Sequence, residues 1–127
     1  MGRYCVVIDI GKTNAKIHVM DDRLQNRFRR SRANKVIDQG IYPHYDTHAL
    51  WRWIRGTLAE IASDYPVDAI NITTHGATAA LVHPDAGESG LVLPIMDYEY
   101  AGVASTSDYA SVRPLFWETL SPVLPAG

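Results

Sequence analysis

Cysteine is nearly missing from this chain: one residue of 127, Cys5, is a cysteine. A single cysteine cannot form an internal disulfide, so small domains that depend on disulfide bonds are excluded and a reducing compartment is favoured. Because Cys5 lies within an apolar run rich in β-branched residues, we expect it to act as a small core side chain.

Long apolar runs and an excess of basic charge are also missing. No segment approaches the about 18 apolar residues of a membrane-spanning helix, and Asp9 interrupts the first apolar run, unlike a secretory signal. The net charge of −2 argues against a dedicated nucleic-acid binder. With 46% hydrophobic and 20% charged residues, the composition is that of a globular protein. We expect a cytoplasmic protein with no membrane or nucleic-acid partner.

Residues 9–16, Asp-Ile-Gly-Lys-Thr-Asn-Ala-Lys, lie between two predicted strands and form the tip of a hairpin. Gly11 lets the backbone come close to a ligand, and successive N–H groups in such a turn can point at an anion. Thr13 adds a hydroxyl, Lys16 a positive charge, and Asp9 a carboxylate suited to hydrated Mg²⁺. The tip is therefore typical of a phosphate and magnesium site. A plain hairpin turn is the alternative that these residues alone leave open.

A third strand is predicted from Leu24 into the low thirties, and it is unusually rich in arginine. A solvated edge strand, in which charge discourages edge-to-edge pairing, is the favoured interpretation. A basic patch for phosphates or nucleic acid is the alternative. The arginines concerned are Arg27, Arg29, Arg30 and Arg32.

A helix is predicted after a loop over residues 38–46, with Asp46 or Thr47 as its N-cap and its end near Asp64. Apolar residues at three- and four-residue spacings should place one face of this helix on the sheet. Trp51 and Trp53 cannot share a face, so one of them should be more exposed. The apolar face comprises Leu50, Trp53, Ile54, Leu58, Ile61 and Ala62.

A fourth strand is predicted over residues 68–74 and a fifth over residues 77–83. Helical segments are expected over residues 105–112 and 116–120. The order strand, strand, strand, helix, strand, strand predicts an α/β domain with a mixed five-stranded sheet, an antiparallel hairpin at its start and a helical crossover. This arrangement is of the ribonuclease-H-like type.

A second group of polar residues surrounds the end of the fourth strand. Thr74 and His75 are followed by Gly76, where a histidine can hydrogen-bond a ligand and a glycine allows the backbone to approach it. About twenty residues later, Asp97, Tyr98 and Glu99 place two carboxylates and a phenol in a short loop. Carboxylates accept hydrogen bonds from sugar hydroxyls, and an aromatic ring can cover the apolar face of a sugar. A purely structural role for His75 remains open.

Three segments together resemble the N-terminal part of the FGGY family of carbohydrate kinases, within the superfamily of sugar kinases, Hsp70 and actin. Residues 9–16 resemble the first phosphate motif, residues 72–78 a sugar-contacting segment, and residues 93–99 a second sugar-contacting loop. The resemblance implies the N-terminal half of an actin-like ATPase fold. The histidine segment is more similar to ketose kinases than to glycerol kinase.

The resemblance also implies a role for each matching residue. Asp9 would hold the Mg²⁺ of MgATP through water, and the ATP phosphates would be met by Gly11, Thr13, Asn14 and Lys16. The sugar would be bound by Thr74, His75, Gly76, Asp97, Tyr98 and Glu99. The family often has threonine after the glycine, whereas Lys12 stands here, and no role follows for it from the resemblance.

Family members are several times longer and have two domains. The resemblance therefore implies that residues 1–127 are the N-terminal portion of the first domain, with the ATP-binding second domain and the general base expected beyond Gly127. We expect the parent protein to be an ATP-dependent sugar kinase for a ketose or polyol, and the fragment alone to be inactive. The fragment's exposed apolar surface makes a homo-oligomer possible.

Two other functions remain as alternatives. A non-catalytic sugar- or nucleotide-binding module would keep the fold without the chemistry. A ribonuclease-H-like nuclease would also begin with an aspartate on the first strand, but needs further carboxylates for two metal ions. Glu60 is a candidate for one of them, whereas the fourth strand ends in Thr74, where another acid would be needed.

Overall fold

A single mixed sheet and one long helix form the centre of the computed structural model, which describes residues 3–100, 102 and 113–121. The first three strands, the helix and the strand after it come in the predicted order, with a short extra pair of strands before the helix. The elements are β1 (Tyr4–Ile10), β2 (Asn14–Asp21), β3 (Asn26–Ala33), β4 (Val36–Ile37), β5 (His44–Tyr45), α1 (Thr47–Asp64), β6 (Val67–Thr74) and α2 (Phe116–Thr119).

In the part of the chain that the structure describes, the main sheet has four strands in the order β3-β2-β1-β6. Strands β1, β2 and β3 pair in antiparallel fashion, whereas β6 returns after α1 to pair with β1 in parallel. Since a parallel pair needs a crossover connection, α1 fulfils the predicted role of the crossover helix. The predicted α/β class, with its hairpin start, mixed sheet and helical crossover, is confirmed.

The hydrophobic core lies between the β1–β2 hairpin and α1. Strand β2 alternates exposed or half-buried positions with buried ones, as expected of a strand with one covered face. Ala62, which the sequence placed on the apolar face of α1, is exposed instead, while Thr57 is buried. The buried cluster consists of Val6, Ile8, Ile17, Val19, Ile54 and Ile61.

Helix α1 begins as its sequence predicts. Of the two candidate caps, Asp46 is the N-cap, and its side chain accepts a hydrogen bond from the Ala49 N–H at 2.9 Å. Trp53 packs against the core while Trp51 is 58% exposed, so the predicted difference between the two is confirmed.

The arginine-rich strand β3 lies at one edge of the sheet, and its arginines hold neighbouring elements. Arg30 pairs with Glu60 of α1 at 2.7 Å, and Arg32 donates to the Ala49 carbonyl at 2.6 Å. Arg27 pairs with Asp21 at 2.7 Å. These contacts support the interpretation of β3 as a structural edge strand.

The fifth strand predicted over residues 77–83 does not form, so the sheet has four strands within the described residues where five were expected. Val82 makes an isolated bridge to Leu91, and residues 77–81 belong to no strand. Three of the residues, Ala77, Ala79 and Ala80, have low strand propensity, and the segment does not pair with the edge strand β6. The helix predicted over residues 105–112 lies outside the described residues, whereas the predicted turn near residue 116 is present as α2.

None of the helices in the ranges 3–100, 102 and 113–121 is long and apolar enough to cross a membrane.

Candidate phosphate and sugar site

The turn between β1 and β2 is tightly closed. The Gly11 N–H donates to the Asn14 carbonyl at 2.9 Å, and a Cβ at position 11 would lie 3.0 Å from the same oxygen. That separation is shorter than ordinary van der Waals contact, so the turn favours glycine. Thr13 and Asn14 are exposed at the tip, where the Asn14 side-chain amide donates to the Thr13 hydroxyl at 3.3 Å.

Asn34 supports this turn from the end of β3. Its side-chain amide donates to the Gly11 carbonyl, and its backbone N–H donates to the Thr13 carbonyl, both at 2.9 Å. Because Asn34 is only 9% exposed, these bonds fix the turn from inside the molecule. Sequence reasoning missed Asn34, since it lies after the arginine-rich strand and belongs to no motif.

Asp9 and Lys16 face each other across the hairpin as register partners. The Lys16 ammonium lies 3.5 Å from a carboxylate oxygen of Asp9, and the two side chains are 37% and 39% exposed. Both charged groups therefore remain accessible beside the tip. One accessible carboxylate fits Mg²⁺, which usually keeps several waters and takes one or two protein carboxylates together with phosphate oxygens.

The end of β6 lies next to the hairpin tip because β6 runs parallel to β1. Ile10 is the register partner of Thr74, and the His75 N–H donates to the Ile10 carbonyl at 3.1 Å. A Cβ at Gly76 would meet no atom within 4 Å, so packing does not require a glycine there. The parallel pairing thus brings the first two predicted segments together.

Three rings form a row beside the tip. The His75 ring lies between Tyr45 and Tyr98, with centroids at 5.8 and 5.5 Å. The Thr78 hydroxyl is 3.2 Å from His75 Nδ1 and fixes the orientation of the imidazole. Tyr45 and Thr78 were not predicted as site residues; the former lies in the stretch expected to be a loop and is 4% exposed.

The loop of residues 97–99, here called the sugar loop, is attached beside this row. The Asp97 N–H donates to the Pro43 carbonyl at 2.9 Å, and the Glu99 N–H donates to Asp97 Oδ1 at 3.2 Å. The Tyr45 hydroxyl donates to the same Oδ1 at 3.3 Å. Burial, and then the nearby charge of Asp97, raise the pKa of Tyr45, so its hydroxyl stays protonated as a donor.

Lys12 connects the hairpin tip to the sugar loop. Its ammonium forms ion pairs with Glu99 and, at 3.7 Å, with Asp97, and it lies 4.9 Å from the centroid of the Tyr98 ring. The hydrogen bond to the Glu99 carboxylate raises the pKa of Lys12. All three predicted segments therefore meet at one end of the sheet, joined by a lysine to which the sequence assigned no role.

A carbohydrate kinase from Novosphingobium aromaticivorans shares this architecture: it is 32% identical over 95% of this chain, with a TM-score of 0.81. The predicted resemblance to carbohydrate kinases is confirmed. Xylulose kinase from Lactobacillus acidophilus (14% identity over 76% of this chain, TM-score 0.61) and Plasmodium falciparum glycerol kinase with ADP (12% over 89%, TM-score 0.65) have the same fold.

The similarity to carbohydrate kinases concerns one part of those proteins. The chain spans 26% of the Novosphingobium kinase, 20% of the xylulose kinase and 24% of the glycerol kinase. No family model and no curated protein matches this sequence.

The nuclease alternative requires several carboxylates around two metal ions. Within the described ranges, histidine, cysteine and acidic side chains form no group of three or more that could hold a metal ion. Glu60, the acid considered for such a role, pairs with Arg30 on the outer part of α1.

Proposed function

We propose that the protein containing this chain transfers the terminal phosphoryl group of ATP to a hydroxyl of a ketose or polyol. In this proposal, residues 1–127 are the N-terminal portion of the first kinase domain and supply the phosphate hairpin and part of the sugar site. The observation that carries the proposal is the contact between the hairpin tip and the loop of carboxylates and rings, made through Lys12 and His75.

The hairpin tip is suited to phosphate. Gly11 keeps the backbone free of a side chain, while Thr13 and Asn14 present a hydroxyl and an amide at an exposed turn. Lys16 would neutralise charge on the transferred group, and Asp9 would hold Mg²⁺ through water. MgATP would supply the phosphoryl group, and such catalysis depends mainly on positioning and charge neutralisation.

The sugar loop and the row of rings are suited to a polyhydroxylated ligand. Within the described residues, the contacts of Asp97 with Tyr45, Glu99 and Lys12 all use Oδ1, which leaves Oδ2 to accept from a sugar hydroxyl. Glu99 is 55% exposed and could accept another. The rings of His75 and Tyr98 would cover an apolar sugar face, and the sugar could approach closely at Thr74 and Gly76.

The remaining parts of the reaction would come from outside these residues. We propose that the general base and the adenosine pocket are supplied by the rest of a longer kinase, since the chain spans 26% of its Novosphingobium relative. The chain alone should then show no sugar phosphorylation.

A sugar panel with the full product of the reading frame that contains this chain would test the proposal. ADP release from MgATP is measured with ketoses, polyols and aldoses, and we expect at least one ketose or polyol to stimulate it. Asp9→Asn should lower kcat about 100-fold by weakening metal and phosphate positioning, whereas Asp38→Asn, at an exposed loop carboxylate, should not. A folded protein that releases no sugar-dependent ADP with any member of the panel would contradict the proposal.

A further inference from the structure

Lys12 is part of the hairpin tip by sequence, yet its ammonium is directed at the sugar loop. Its partners are the carboxylates of Glu99 and Asp97 and the face of the Tyr98 ring. The Lys12 side chain is 22% exposed and that of Asp97 14% exposed. The contact with Asp97 is therefore partly shielded from water, where an ion pair is less screened than on an open surface, whereas Glu99 is 55% exposed.

The sugar loop carries two negative charges that a nearby cation can offset. Asp97 and Glu99 lie two residues apart in a tight turn closed by the Glu99 N–H to Asp97 Oδ1 bond and the Tyr100 N–H to Asp97 carbonyl bond. Neighbouring carboxylates repel each other, and a positive charge close to both offsets that repulsion. Lys12 supplies that charge from the neighbouring hairpin.

The same contacts argue against Lys12 as a phosphate ligand. A lysine ammonium has three donors, and those of Lys12 face two carboxylates and an aromatic ring. Lys16, by contrast, is 37% exposed beside Asp9 and is the better placed of the two for a phosphate.

We propose that Lys12 is a positioning residue that holds the sugar loop, residues 97–99, against the phosphate hairpin. The hydroxyls bound by the loop carboxylates would then lie beside the tip at which the phosphoryl group is presented. This inference rests on the proposed function for its kinetic consequence, whereas the structural part, the contribution of Lys12 to holding the loop, does not.

Hydrogen exchange tests the structural part without nucleotide or sugar. In Lys12→Met, which keeps most of the side-chain length but removes the charge, the amides of Asp97, Glu99 and Tyr100 should exchange at least about 5-fold faster. The amides of β1 and β2 should keep their rates. Lys12→Arg should restore protection, and Lys35→Met, at an exposed lysine that takes no part in the ion pairs of Asp97 and Glu99 described above, should leave it unchanged. Unchanged exchange in Lys12→Met would overturn the proposal.

Steady-state kinetics on the full-length protein test the kinetic consequence, which is weaker sugar binding when Lys12 is replaced. Loss of a charged hydrogen bond should raise the sugar KM about 10-fold in Lys12→Met and leave the KM for ATP within twofold, with Lys12→Arg restoring most of the affinity. A raised KM for ATP with an unchanged sugar KM would assign Lys12 to the phosphate and overturn the proposal.

The two measurements separate the two ideas. Faster loop exchange in a protein that phosphorylates no sugar would support the lysine's role in holding the loop while removing the proposed function. Unchanged exchange in a protein that phosphorylates a sugar would support the proposed function and overturn the role of the lysine. If Lys12→Met does not fold, Glu99→Gln removes the same ion pair from the other side and should give the same faster exchange, and unchanged exchange there would again overturn the proposal.

Discussion

Strands β2 and β6 flank the same central strand β1, yet their side chains lie in opposite environments. In β2, Ala15, Ile17 and Val19 are each 0% exposed. In β6, all residues after Val67 are exposed, including Ile70 at 53% and Ile72 at 61%. Backbone pairing therefore places both strands in the sheet, but burial depends on what packs over them.

The packing of α1 explains the difference. The helix covers the β1–β2 hairpin, and an open apolar groove of about 380 Å³ remains between it and β6. Stability should therefore reside in the hairpin and helix, while β6 contributes mainly its backbone pairing and the placement of Thr74 and His75. The groove is lined by Ile8, Ile10, Thr47, Leu50, Trp51, Ile54, Leu58, Ile70 and Ile72.

Truncating one isoleucine in each of β2 and β6 should show the largest difference in the free energy of unfolding. Ile17→Ala leaves a cavity in the closed core and should lower the free energy of unfolding by about 3–4 kcal/mol. Ile72→Ala removes the same atoms from a side chain that is 61% exposed and should cost less than about 1 kcal/mol. Urea unfolding followed by circular dichroism measures both, and equal losses would show that β6 is as well packed as β2.

Removing the N-cap of α1, the helix that covers the β1–β2 hairpin, should have a smaller effect on stability. Asp46→Ala removes the acceptor of the Ala49 N–H and should lower the free energy of unfolding by about 1 kcal/mol. Asp46→Asn keeps an N-cap acceptor and should retain most of the stability in the same urea titrations. A loss as large in Asp46→Asn as in Asp46→Ala would mean that the charge of Asp46, not its cap bond, matters.

Asp21, at the end of β2, should make the stability of the β1–β2 hairpin and its covering helix decrease at acid pH. The N–H of Gln25, followed by Arg27 and the N–H of Arg23, lowers the pKa of its carboxyl. A lowered folded-state pKa gives stability that is present above the unfolded pKa of about 3.9 and lost as pH falls through the folded value. The melting temperature should thus fall more steeply below about pH 4 in the native chain than in Asp21→Asn. Asp22→Asn, at an exposed neighbour, should keep the native slope.

The elements that the sequence predicted well are those with local signals. The period of two in β2, the spacing of apolar residues in α1 and the cap residue Asp46 each depend on neighbours within a few positions. The assignment of the three polar segments to phosphate or sugar came from their resemblance to a known family.

The features that the sequence did not predict depend on residues far apart in the chain. The segment over 77–83 contains three alanines of low strand propensity, and it does not join the edge strand β6, which precedes it in the chain. Asn34 and Lys12 act through partners on other elements, Gly11 and Glu99 among them, and no spacing rule connects such pairs. A single sequence thus predicts local elements better than the contacts that join them.

The smallest expected effect concerns two glycines at the ends of β1 and β6. Gly76→Ala places a Cβ where no atom lies within 4 Å, so the free energy of unfolding should change by no more than about 0.5 kcal/mol. Gly11→Ala brings a Cβ to 3.0 Å from the Asn14 carbonyl and should be the more destabilising of the two. Thermal melts of both variants make the comparison. A loss above about 1 kcal/mol in Gly76→Ala would show that the end of β6 is packed in solution, and the contrast between the two flanks of β1 would then be weaker than the structure indicates.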